Sequence, residues 1–136
     1  MNLKNLMVDT KSAWVPYAGL DGFEVEIANI SREKLTQLRK SCVEMRFDRK
    51  SRIPVEELNE TKFVRAFTDN AIKNWKGLKL SYLEQLMLVD ITAEDPDQEL
   101  EFDADNAELL VKNSADFDSW VNEVVFDLDN FRTKRD

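Results

Sequence analysis

The stretch NSADFDSWVNEVVFDLDNFR, residues 113–132, constrains the fold of this chain more than any other. Phe117, Trp120, Val121, Val124, Val125, Leu128 and Phe131 recur at intervals of three and four, which places them all along one side of a helix. Burying one such side chain contributes roughly 1.5–3 kcal/mol, so a stripe this wide and aromatic has to meet a second layer. That layer comes either from this chain or from another one.

With 136 residues, 43% of them hydrophobic, the chain has material for one modest core without a disulfide or a metal. One domain over 1–136 is expected. Cys42 is the only cysteine, which rules out an intramolecular disulfide and fits a reducing compartment. No run approaches the roughly 20 apolar residues of a membrane span, and MNLKNLMVDTK lacks the apolar core of a signal peptide.

The net charge of -8 is unevenly spread. Residues 32–79 carry 13 Lys/Arg against 7 Asp/Glu, whereas residues 80–136 carry 4 against 16. A basic middle beside an acidic end can dock internally, between copies, or onto a charged partner. Nucleic acid is not expected, because Glu33, Glu44, Glu56 and Glu57 interrupt the basic residues and phosphate repels the whole chain.

Glycine and proline punctuate the rest. Runs near 13–18 and 23–28 flank Gly19-Leu20-Asp21-Gly22, which reads as a β-hairpin over 13–30 with Pro16 marking an edge strand. Ser31 caps a helix through 31–47 whose stripe is Leu35, Leu38, Cys42 and Met45. Asp48-Arg49-Lys50-Ser51-Arg52 is a polar connection. Pro54 then opens a second helical pattern through Leu58, Phe63, Phe67, Ala71, Ile72 and Trp75, with a break around Asn59 to Thr61 and a left-handed stop at Gly77. The run 78–91 fits helix or strand; Ser81 followed by Glu84 favours a capped helix. An acidic loop over 92–103 precedes a helix capped by Asp103 or Asp105, and Ser114 caps the last one. The expected class is α+β, predominantly helical, with an N-terminal β-hairpin packed on a bundle of four or five short α-helices.

Histidine is absent, which removes the commonest general base, the commonest metal ligand and every imidazole triad. Cys42 falls on an apolar stripe, where a buried, inert thiol is the expectation. DPDQELEFDAD, 95–105, alternates carboxylates as a calcium loop does, but its sixth position is Leu100 where glycine belongs and its twelfth is Asn106 where glutamate belongs. The plainer reading turns Leu100 and Phe102 inward and leaves Glu99, Glu101 and Asp103 in water. No catalytic, cofactor or metal site is expected, and no enzyme.

Three blocks of spacing resemble the tail assembly chaperones of long-tailed, siphovirus-like bacteriophages. They are an Ile-x-x-Trp-x-Gly-Leu step at Ile72, Trp75, Gly77 and Leu78; a stretch with Phe102, Asn106, Ala107, Leu109 and Leu110; and a Phe-x-x-Trp-Val helix at Phe117, Trp120 and Val121. The resemblance covers about half of the chain. It implies a non-enzymatic protein of the host cytoplasm that binds the tape measure protein, keeps its apolar helices soluble while tube subunits polymerise, and is absent from the mature virion. It also implies, as further partners, the tail tube protein and a longer form made by ribosomal frameshifting, near whose site TKRD, 133–136, could stand. The family motifs single out no client-binding residues; Trp75, Phe117, Trp120, Val124 and Phe131 are the residues expected to line or adjoin that face, because they combine size with rigidity. A homo-oligomer is compatible with the charge split. The competing reading is a head–tail joining or tail completion protein, retained in the virion as a ring whose basic middle meets a neighbour's acidic end.

Overall fold

The computed structural model describes residues 1–8 and 10–132; TKRD lies outside them. Strand β1 (Ser12–Pro16) pairs antiparallel with β2 (Glu24–Ala28) across the predicted glycine loop, and β2 pairs on its other side with a later strand, β5 (Ile72–Lys76). The order β1-β2-β5 leaves β1 at an edge, where Pro16 costs no central ladder bond. Phe23, Val25 and Ile27 are buried, while Glu24 and Glu26 remain half-exposed on the opposite face. On that outer face the Lys76 ammonium bridges Glu24 at 3.3 Å and lies 4.8 Å above the Trp14 ring.

Between β2 and β5 run α1 (Arg32–Ser41), a second hairpin of β3 (Val43–Phe47) and β4 (Pro54–Leu58), and α2 (Glu60–Ala71). After β5 come α3 (Leu80–Leu86), α4 (Ala104–Asn113) and α5 (Ala115–Phe126), with short 3-10 turns at Leu3–Asn5 and Leu128–Asn130. The described residues thus hold five α-helices and two small sheets, an α+β fold with an N-terminal hairpin as expected. Ser31, Asp103 and Ser114 each accept from a first-turn amide, at 3.1, 2.7 and 3.2 Å.

Three expected helices come out differently. The first stops at Ser41, whose hydroxyl donates back to the Leu38 carbonyl at 2.7 Å; from Val43 the alternation of Val43, Met45 and Phe47 with Glu44 and Arg46 has the period of a strand. The second begins only at Asn59, which caps α2 by accepting from the Lys62 amide at 3.1 Å, so Pro54 opens a strand and no helix. Its far end also leaves the helix. Ile72 and Trp75 both face the core from β5, three residues apart, because a bulge at Lys73 sets Asn74 opposite Glu26 but Ile72 opposite Ile27. In the third, α3 occupies 80–86 only, and Ser81 lies inside it; the residue before the helix, Lys79, makes no side-chain cap.

Gly77 joins this sheet to the rest of the chain. Its φ is +76°, and a Cβ there would collide with the carbonyl of Gly22 in the β1–β2 turn. Beyond it, residues 78–80 run antiparallel to 98–100, with the Leu100 amide donating to Leu78 O at 2.7 Å and the Leu80 amide to Gln98 O at 2.9 Å. The acidic segment is therefore a structural strap: Leu100 and Phe102 are half-buried against the core, and Glu99, Glu101 and Asp103 are exposed. Gly77→Ala should lose at least about 2 kcal/mol in urea denaturation, since strain and collision add. Gly19→Ala, at φ +91° with open space around it, bears the conformational part alone and should lose less.

Candidate partner-binding surface

The five residues expected to meet a partner are distributed otherwise. Trp75, Phe117, Val124 and Phe131 are buried, and only Trp120 is half-exposed. The Trp75 indole N–H donates to Leu100 O at 2.9 Å and its ring meets Phe102 edge-on at 5.1 Å, which latches the acidic strap to β5. Phe117 packs against Tyr17 and Phe23 at 6.1 and 6.3 Å, and Trp120 lies 4.8 Å from Tyr17. The α5 stripe is thus closed by this chain's own sheet, and a partner reaches four of these side chains only by opening the core.

The surface that stays apolar and ordered is the β3–β4 hairpin, hereafter the arm. Val43, Met45 and Phe47 stand on one face opposite Leu58, Glu56 and Pro54; Met45 and Phe47 are 63% and 62% exposed. The other face is polar, with Arg46 bridging Glu57 at 3.2 Å. Apart from half-buried Val55 and Leu58, every strand residue of the arm is exposed, and its pairing is with itself alone. Two-stranded hairpins without a covering layer are marginal in water, so this element lacks a partner surface. Leu3, Leu6, Met7 and Val8 are also exposed, but outside any ladder.

Local chemistry holds the arm in shape. At its root the Asn59 amide donates to Cys42 O at 2.9 Å, and the Asn59 side chain donates to Glu44 at 3.1 Å. At its tip the Asp48 carboxylate accepts from the Lys50 amide at 3.0 Å and the Ser51 hydroxyl at 2.9 Å, while Arg52, at φ +58°, donates its amide to Asp48 O at 2.7 Å. The Lys50 amide, then the Ser51 hydroxyl, hold the Asp48 carboxyl below its ordinary value.

Where the arm leaves the body, α1, α2 and α5 enclose a cleft of about 300 Å3. Phe63, Val64, Phe67 and Phe126 line it, Glu60 and Asp118 stand at it, and the Arg39 guanidinium lies 5.1 Å over the Phe63 ring. Phe126 is 45% exposed. The cleft is largely apolar inside, and its charged edge holds Glu60 and Asp118 beside Arg39. Nearby, Arg65 ties α2 to α4 through Asp105 at 2.8 Å and Glu108 at 3.2 Å.

Cys42 is buried, as its stripe position implies. Among the described residues no three His, Cys, Asp or Glu side chains are grouped as metal ligands, and no helix is long and apolar enough to cross a membrane. Compared with models of protein families, with curated proteins and with solved structures, the chain matches none.

In the sequence the arm is VEMRF and PVEEL around a polar turn; only VEMRF alternates, and in PVEEL the apolar Val55 and Leu58 stand three apart, a helical interval that masks the strand. Its tip gives a direct check. A carboxyl with a depressed folded pKa stabilises the tip fully above the unfolded carboxyl range, near pH 3.9, and the contribution is lost as pH falls through the lower, folded value. The Lys50 and Ser51 amide resonances should titrate together with a midpoint below that range, and Asp48→Asn should abolish the transition.

Proposed function

We propose that this chain is a tail assembly chaperone of a long-tailed bacteriophage, acting in the host cytoplasm by binding the tape measure protein and keeping its apolar helices soluble until tube subunits enclose them. The observation that carries the reading is an ordered strand ladder presenting Val43, Met45 and Phe47 to water beside an aromatic cleft. An amphipathic helix buries its apolar face in a surface of that kind. The net charge of -8 keeps such a surface from coagulating. The packing residues that carry the family resemblance now have physical roles: Trp75 latches the strap, Gly77 admits the Gly22 carbonyl, and Phe117 fills the core.

The competing reading, a ring-forming head–tail joining or tail completion protein, draws on the basic middle and acidic end. Mass spectrometry of purified virions separates the two: a chaperone is missing, a ring subunit is present. For the client itself, co-expression with the tape measure protein should keep that protein soluble and co-purify it. The double variant Met45→Asp/Phe47→Asp, with a native circular dichroism spectrum, should lower the recovered client about tenfold or more. Full recovery with that variant contradicts the client face named here.

A further inference from the structure

We infer that the arm of one copy seats in the α1–α2–α5 cleft of a second copy, and that two chains exchange arms reciprocally in the absence of client. The chain carries both halves of the contact. The arm offers an apolar knob, Met45 and Phe47, that its own body leaves exposed. The cleft offers an aromatic socket formed by Phe63, Phe67 and Phe126. Since the arm's strands remain in water within one copy, the seat is not in the same chain.

Charge favours the pairing. Arg46 is engaged by Glu57 within the arm, but its turn, residues 48–53, carries Arg49, Lys50 and Arg52 against Asp48 alone, whereas Glu60 and Asp118 stand at the cleft beside Arg39 and Asp127 follows Phe126. Opposite charges at the rim set register and speed encounter. Position favours reciprocity. Glu60 and Arg39, which line the cleft, belong to the two helix ends from which the arm springs, so knob and socket lie side by side and a twofold axis can satisfy both at once. Size is also adequate: a standard interface uses about 20 to 30 residues a side, and the arm spans 43–58 while the cleft adds 10 residues. The covered hairpin then has the packing layer that a lone two-stranded sheet lacks.

The inference stands apart from the identity of the client, and its test uses the full chain alone. Sedimentation equilibrium at micromolar concentration should give a dimer. Met45→Asp/Phe47→Asp, which removes the knob, and Phe126→Asp, which charges the socket, should each weaken it about 30-fold or more. Asp118→Arg, at the rim, replaces the socket variant if circular dichroism shows that Phe126→Asp does not fold. Mixed in equal amounts, the knob and socket variants should form a heterodimer tighter than either variant's self-association, because one intact arm then meets one intact cleft. A monomeric wild-type chain, assemblies larger than a dimer, an arm variant that dimerises like wild type, or a mixture no tighter than its components each overturns the inference.

Discussion

Phe117 packs against both Tyr17 and Phe23, which also meet each other at 5.6 Å, and through that three-ring cluster helix α5 is fastened to the inner face of the β1-β2-β5 sheet. Val121, Val124 and Val125 follow it into the interior, and Phe131 folds back after the 3-10 turn to close the end. Each of these side chains is worth roughly 1.5–3 kcal/mol when taken out of water, so the sheet and α5 form one unit. The other elements are placed relative to it. Strand β5 brings Trp75 to the acidic strap, Gly77 brings the chain against the β1–β2 turn, and α4 joins α2 through Arg65. Tyr82 adds a tie from α3 by donating its hydroxyl to Asp21 O at 2.7 Å.

Because the body closes on itself in this way, the arm stands out as a different kind of element. The body satisfies its own aromatic faces. The arm satisfies its backbone within one pair of strands and holds its turn with Asp48, yet leaves Met45 and Phe47 in water. A body closed on its own core thus carries one ordered apolar surface that it leaves uncovered.

The sequence conveyed this division only in part. Local signals were legible where one principle acts alone: glycine chemistry placed the first hairpin, and the hydroxyl and carboxylate caps at Ser31, Asp103 and Ser114 placed three helix starts. The strands β3, β4 and β5 were not, because chance spacing imitates a helix. Met45 lies three residues after Cys42, and Ile72 and Trp75 are separated by a helical interval that the Lys73 bulge turns into a common strand face. The site followed the same error. Large aromatics in α5 look like interface residues by type, but their facing layer is a sheet contributed by distant residues, and nothing local reveals that it exists. The acidic strap was legible for the converse reason, since its alternation of Leu100 and Phe102 with carboxylates is a purely local pattern.

The central claim is that the body's stability is independent of the arm, while the arm's purpose lies in what covers it. Cys42 O and the Asn59 amide are already bonded at the root, so residues 43–58 can be replaced by a two-residue Asn-Gly turn. Urea unfolding of that chain, followed by fluorescence of its three tryptophans, all outside the arm, is the most direct measurement. The account predicts one cooperative transition with stability within about 1 kcal/mol of the intact chain, as for changes away from a core. Loss of the cooperative transition would show that the arm is part of the folding unit and would contradict the division on which the rest is built.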